Sequence, residues 1–259
     1  MEVHTHSHSE SPPAGRAGKK WFHYLWEFLM LFLAVFCGFL AENLREHYVE
    51  NLRAKEFAKS LYDDFKADTA SIQRTRDEKT WILAKHDSAL HILKSNNIAS
   101  NNEFLYYVER YLFFNDVFTS QDVTYQQLKN SGSFRYFKNQ ELYKKIADYF
   151  NLYKRYQSVD GEFSKANNKV ELRNFESSLF DPVDLTNLDN SRAHNFYDLA
   201  LPSDRKLKPM INDPQKLKEF YLLIADEASR TTSARIFLDW LNGKAANIIN
   251  GLKQEYHLK

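Results

Sequence analysis

Glycine, proline and cysteine are all scarce in this sequence. Its 259 residues hold seven Gly, six Pro and one Cys. Seven in 259 is under 3%, against about 7% in average proteins. Rossmann and P-loop folds need Gly-rich phosphate turns, and β-sandwiches need many tight turns, so this composition argues for a few long helices instead. A single cysteine excludes an intramolecular disulfide. There is no excess of charge either: Lys plus Arg is 35 and Asp plus Glu is 34. Nucleic-acid binders carry a basic excess, so nucleic acid is not an expected partner. Catalytic signatures are missing too. No HExxH, GxSxG or CxxC occurs, and no spacing orders Ser, His and Asp as a triad. The acidic stretch Asp181, Asp184, Asn187, Asp189 lacks the central Gly and terminal Glu of a calcium loop. No enzymatic activity, cofactor or metal is expected. The alternating His4, His6 and His8 read as part of a solvated tail.

Aromatics are abundant: 20 Phe, 15 Tyr and 4 Trp. They crowd into Phe104 to Phe118, Phe134 to Tyr156 and Phe220-Tyr221, where helical spacing assigns most of them to a core.

One long hydrophobic run stands near the N-terminus. From Trp21 to Ala41 the chain reads WFHYLWEFLMLFLAVFCGFLA. Twenty-one residues make roughly 31 Å of helix at about 1.5 Å per residue, a match to the bilayer core. Trp21, Tyr24 and Trp26 then lie near one interface, where aromatic belts form. A small-x-small cleavage site before Glu42 would need a small residue at Phe39, and Cys37 follows Phe36 where a lipoprotein needs a small residue. The run is therefore expected to be an uncleaved signal anchor. Arg16, Lys19 and Lys20 stand close before it, whereas Arg45 alone stands within ten residues after it. That asymmetry predicts a cytoplasmic N-terminus and an exported C-terminal domain, hence a single-pass bacterial inner-membrane protein.

Glu27 is the sharpest residue in the run. It lies about 9 Å into the span and about 6 Å from the centre at Leu31. An ionised side chain at a helix centre costs about 2.5–3.5 kcal/mol on insertion scales. His23 is one helical turn earlier, so the two can pair. Three roles stay open: a helix–helix contact, snorkelling to the interface beside Lys20, and a proton or ion path. Glu27, Leu31, Ala34, Gly38 and Ala41 share one face at steps of four and three. Ala34-x-x-x-Gly38 is a small-x-x-x-small pair that lets helix backbones approach. This face predicts self-association or docking to another membrane helix. Cys37 reads as a small apolar residue of the span.

The stretch GKKWFHYLWEFLMLFLAVFCGFLAENLREHYVE, Gly18 to Glu50, closely resembles the N-terminal block of an uncharacterised family of single-span membrane proteins from bacteroidete-type bacteria. TYQQLKNSGSFRYFKN, Thr124 to Asn139, is similar to a second block of that family. The resemblance implies one membrane span and a helical domain. Because the family is classed as a domain of unknown function, it implies no activity and no residue role.

The remaining chain is expected to be all-α: the membrane helix at 21–41, after a disordered polar tail at 1–20, continues into a long helix and an antiparallel bundle over 42–259. No Gly or Pro interrupts Glu42 to Lys94. Ala54, Ala58, Leu61, Phe65, Thr69 and Ile72, resuming at Leu83, Leu90 and Leu93, form its apolar stripe. Ser95 to Asn102 breaks it. Further helices are predicted at about Glu103 to Phe114, from a Thr119 or Ser120 cap to Lys129 with Gly132 just past the end, and from the Asn139 cap to about Phe180 with Gly161 as a weak point. A long connection covers 181–212. Asp213-Pro214 then starts a last helix to about Tyr256. The expected function is that of a membrane-anchored scaffold or accessory subunit, with the bilayer and a homo-oligomer or another membrane protein as partners. The alternative is an extracytoplasmic sensory or ligand-binding module that signals through a partner.

Overall fold

The computed structural model describes residues 17–95, 97–111, 117–161, 175, 178–180 and 211–258. The tail at 1–16, the His4, His6 and His8 cluster within it, the acidic stretch from Asp181 to Asp189, and most of the long connection lie outside these residues. Among the described residues every regular element is helical. In chain order these are α1 (Ala17–Lys94), a 3-10 turn (Ala99–Asn101), α2 (Asn102–Tyr111), α3 (Val123–Ser131), a second 3-10 turn (Ser133–Tyr136), α4 (Gln140–Tyr156) running into a π-helical turn (Gln157–Gly161), and α5 (Pro214–Tyr256). The chain divides into two compact units, Met1–Ala54 and Lys55–Lys259.

The ends of these helices follow from local chemistry. α1 begins at Ala17, four residues before the expected start of the membrane helix, and runs unbroken for 78 residues. Asn139 caps α4 by accepting from Leu142 N at 3.1 Å. Asp213 caps α5 by accepting from Gln215 N at 2.9 Å and Lys216 N at 3.2 Å. Pro214 follows at the first helical position, where its missing N–H costs nothing. Gly132 closes α3 in the left-handed region, φ +68°, which a residue without a Cβ adopts without strain.

One expectation is corrected here and one is refined. α3 starts after Asp122 rather than after Thr119 or Ser120, because the Ser120 hydroxyl is engaged elsewhere, as described below. α4 is α-helical to Tyr156 and widens into the π-turn Gln157–Gly161, where Gly161 was expected as a weak point; most of the expected helix from there to Phe180 lies outside the described residues.

The second unit is an antiparallel bundle. One apolar cluster joins the stretch of α1 from Ala58 to Ile72 with α4 and the C-terminal half of α5, through Phe65, Ile146, Tyr149, Leu241 and Ile248. A second joins Ile82 and Ala89 of α1 with α2 and the N-terminal half of α5, through Leu105, Tyr106, Phe220 and Ile224. The start of this stretch of α1 thus shares a cluster with the end of α5, and its end with the start of α5. Tyr106, Phe118, Phe137, Tyr149, Tyr156 and Phe220 are all buried, so the aromatics are mostly core, and burying a large apolar side chain contributes roughly 1.5–3 kcal/mol.

The buried positions of α1 in this unit are 58, 61, 65, 68, 72, 75, 78, 79, 82, 86 and 89. Glu78 apart, they follow alternating steps of three and four, the 3.5-residue period of a coiled-coil seam. α5 repeats it at 231, 234, 238, 241, 245, 248 and 252. The expected stripe is therefore corrected in part. Asp68 is buried where Thr69 was expected, and Ile82, His86 and Ala89 are buried whereas Leu83, Leu90 and Leu93 are half-buried. An apolar-only stripe skips the seam positions that carry polar residues.

Candidate functional site

Two groups of residues stand apart from ordinary packing. The first is in the unit Met1–Ala54. Every residue from Trp21 to Ala41 is exposed, and α1 holds here a stretch long and apolar enough to cross a membrane. Phe28, Phe32 and Phe36 stack along one side of it, with centroids 6.3 and 5.9 Å apart. His23 Nε2 lies 3.1 Å from Glu27 Oε1, so one turn of helix brings the two polar groups together. Leu31, Ala34, Gly38 and Ala41 continue along the same face. A Cβ built on Gly38 would meet nothing within 4 Å, so no side chain covers this part of the face. Cys37 is exposed beside it.

The second group is buried in the bundle, and no sequence motif pointed to it. Its first half centres on Asp68, 1% exposed. Tyr149 OH donates to Asp68 Oδ2 at 2.7 Å and Gln121 N donates to Oδ1 at 2.7 Å. Ser120 Oγ donates to Oδ2 as well. Burial nevertheless pushes the Asp68 carboxyl above its usual range, against the three hydrogen bonds, and the nearby Asp64 carboxylate pushes it the same way. Burial likewise raises the Tyr149 phenol, helped by the Asp68 charge, so Tyr149 remains a donor at any physiological pH.

The other half centres on Lys79, 0% exposed, and Asp160 in the π-turn. Lys79 Nζ lies 2.9 Å from Asp160 Oδ2 and 3.1 Å from Oδ1. Tyr156 OH donates to Asp160 Oδ2 at 2.5 Å and accepts from Phe118 N at 2.9 Å. The π-turn has a clear local effect: it carries the residue one turn after Tyr156 inward, onto Lys79. π-turns of this kind recur at positions with a specific duty.

Both halves hold the same segment. Phe118, Ser120 and Gln121 belong to the non-helical stretch 117–122 that precedes α3. Asp68 takes two of its groups and Tyr156 a third. Phe118 also packs edge-on against Tyr153, with centroids 5.6 Å apart. The network therefore ties a loop to α1 and α4. Polar seam positions also separate the two apolar clusters: Thr75 and Lys79 lie between Ile72 and Ile82 on α1, and Thr231 between Ile224 and Ala234 on α5. Chemically this is a set of satisfied hydrogen bonds and one buried ion pair. Among the described residues no three His, Cys, Asp or Glu side chains gather as metal ligands would.

The signal that would have found these residues was the seam itself. At a strict 3.5-residue period, Asp68, Thr75, Lys79 and His86 fall in phase with Leu61, Phe65, Ile72 and Ile82. The partners on α4 and in the loop are set by tertiary packing and carry no local signal.

No protein-family model matches the chain, and neither does any curated protein or solved structure.

Proposed function

We propose that this protein is a single-pass membrane scaffold or accessory subunit that acts through protein–protein contacts rather than through catalysis. The observation that carries this reading is the complete exposure of the apolar run from Trp21 to Ala41. Apolar surface of that extent is covered by lipid or by other membrane helices. Glu27 makes the second cover specific. A carboxylate about 6 Å from the span centre is unfavourable against hydrocarbon. It is relieved by His23 at 3.1 Å and by a neighbouring helix that approaches closely over Ala34 and Gly38. The basic residues Arg16, Lys19 and Lys20 close before the span support a cytoplasmic N-terminus and a periplasmic bundle. Inside the bundle the buried polar groups serve register: a ladder of ionic and hydroxyl groups at seam positions is satisfied in one alignment of α1, α4 and the 117–122 loop and broken in any other.

The test is native mass in mild detergent, on the full chain extracted from its own membranes, with every co-purifying chain identified. A defined complex, of this chain with itself or with another membrane protein, is the expected result. A lone monomer that binds a small molecule in its aromatic bundle would replace the scaffold reading with a ligand-binding one.

A further inference from the structure

The two halves of the buried network are balanced differently. Asp160 has Lys79 at 2.9 Å as its counter-charge. Asp68 has none: among the described residues no cation acts on it, and the charge it meets is a second carboxyl, Asp64, one helical turn earlier on α1. Asp64 Oδ2 is buried as well, with no hydrogen-bond partner. The elements around Asp68 add no positive charge. α4 presents Tyr149 and Tyr153, phenols that burial keeps neutral. The loop presents Ser120, Gln121 and Asp122, and the Asp122 carboxylate accepts from Gln126 Nε2 at 3.0 Å. α3 and α5 bring Leu128, Ala245 and Ile248 to the surrounding cluster. A carboxyl buried beside another carboxyl, with no cation, favours keeping a proton.

We propose that the 117–122 loop is a strap latched to α1 by a proton on Asp68. The strap is closed while the carboxyl is neutral and opens when the carboxyl ionises.

The hydrogen bonds around Asp68 suit the neutral acid. Its Oδ1 accepts from Gln121 N and its Oδ2 from Tyr149 OH, both at 2.7 Å. The acid proton on Oδ2 then goes to Ser120 Oγ, a hydroxyl that accepts as readily as it donates. No partner is lost. An ionised Asp68 keeps three donors, but it stays out of water beside Asp64. Burial outweighs those donors, so the ion gains by reaching water. Ser120 and Gln121 are the strap residues bonded to it, and lifting them admits water. The other end of the strap is held independently of that proton. Phe118 N donates to Tyr156 OH at 2.9 Å, and Tyr156 is held in turn by Asp160, whose charge Lys79 already meets. The strap thus has one fixed pin and one latch. The closed strap binds the Asp68 proton more tightly than the open strap, where the carboxyl returns toward its ordinary value of about 3.9. Acid therefore closes the strap and base opens it. Opening rises about tenfold per pH unit between the open and the closed value, and levels off above the closed one.

Hydrogen exchange at the Gln121 amide tests this on the full chain in mild detergent, from about pH 4 to about pH 8, with the intrinsic exchange rate divided out. Residue-level mass spectrometry reads it. The expected protection falls about tenfold per pH unit and then levels off, while the α5 amides at 245–252 stay better protected throughout, which separates strap opening from unfolding. Asp68→Asn is a permanently neutral stand-in whose amide accepts from Gln121 N and donates to the Ser120 and Tyr149 oxygens. It is expected to keep Gln121 protected at every pH. Three results would overturn the proposal: a parent whose protection is flat across the range, an Asp68→Asn strap that is open at every pH, or an Asp68→Asn strap with the parent's slope. The second would mean that the carboxylate charge holds the strap, and the third that another group controls it. Should Asp68→Asn fail to fold, Asp64→Asn at its half-buried position decides. Removing the neighbouring charge is expected to move the levelling-off to lower pH, and an unchanged profile or a move to higher pH would refute the latch.

Discussion

Lys79 and Asp160 show what a buried polar residue does here. The Lys79 side chain is fully buried and that of Asp160 only 10% exposed, so removing one partner leaves the other's charge poorly compensated. Lys79→Met is expected to destabilise the protein by about 3–5 kcal/mol. Asp160→Asn removes the opposite charge instead, and Lys79→Met with Asp160→Asn removes both charges. The double variant is expected to lose less than the sum of the singles by about 1 kcal/mol or more. Urea unfolding of the full chain in detergent, followed by Trp fluorescence, measures all three. Strict additivity would mean that the pair contributes nothing as a pair. His86 acts on pH. It is buried between the seam residues Ile82 and Ala89, and burial pushes it down to about 4 from its ordinary value of about 6.5. Between those values the unfolded chain binds the extra proton and the folded chain does not. Stability is therefore expected to fall as pH drops from about 6.5 to about 4, by about 3 kcal/mol in total. Asp68 works with the opposite sign. Its folded value is raised, so its contribution is complete below about 3.9 and is lost as pH rises through its folded value. His86→Leu is expected to abolish the loss of stability on acidification. A variant with the same acid slope as the parent would place that slope on other groups.

At the scale of elements, α5 offers a paired comparison. Gly243 and Gly251 both sit inside it, and alanine is better than glycine in a helix interior by about 1 kcal/mol. A Cβ on Gly243 meets nothing within 4 Å, whereas on Gly251 it comes within 2.9 Å of Leu142 Cδ1. Leu142 is 2% exposed, so it has little room to yield, and overpacking of this kind costs about 1–3 kcal/mol. Gly243→Ala is expected to raise the thermal midpoint by about 2–4 °C, while Gly251→Ala gains nothing or loses. Thermal circular dichroism on the full chain reads both. Equal gains would mean that α4 and α5 pack more loosely at Gly251 than the 2.9 Å approach implies. The end of α4 answers to tertiary contacts as well. α4 gives up its α-helical hydrogen bonding after Tyr156 although Gln157 to Asp160 are tolerable helix formers. The return is Asp160 on Lys79, together with the Tyr156 hydroxyl between Asp160 and Phe118 N.

For the whole molecule, the decisive surface is the one the chain leaves uncovered. If the face from Glu27 to Ala41 packs against another helix, bulk at its two small positions must separate the backbones. Ala34→Leu with Gly38→Leu is expected to abolish cross-linking between spans while the chain still inserts, since leucine is favourable in a bilayer. Unchanged cross-linking would move the contact to another face. The division of labour is then physical. The bundle is held by its own apolar clusters and buried polar ladder, and Trp21–Ala41 takes its stability from whatever surrounds it.

The sequence by itself determined the elements. Scarce Gly and Pro, the uninterrupted run to Lys94, the Asn139 and Asp213 caps and the Gly132 stop are local signals, and local hydrogen bonding and helix propensity act within a few residues. The exposed apolar run and its Glu27 face were legible for the same reason: periodicity along one helix is written in the sequence. The buried network was not. Asp68 looks like any surface aspartate on a charged helix, and Lys79 like any surface lysine. Only packing makes them buried, because their donors and counter-charge come from Ser120, Tyr149 and Asp160, between 52 and 81 residues away. Desolvation, which sets both the cost of those groups and the low value of His86, is a property of assembled neighbours. The tertiary structure alone decided it.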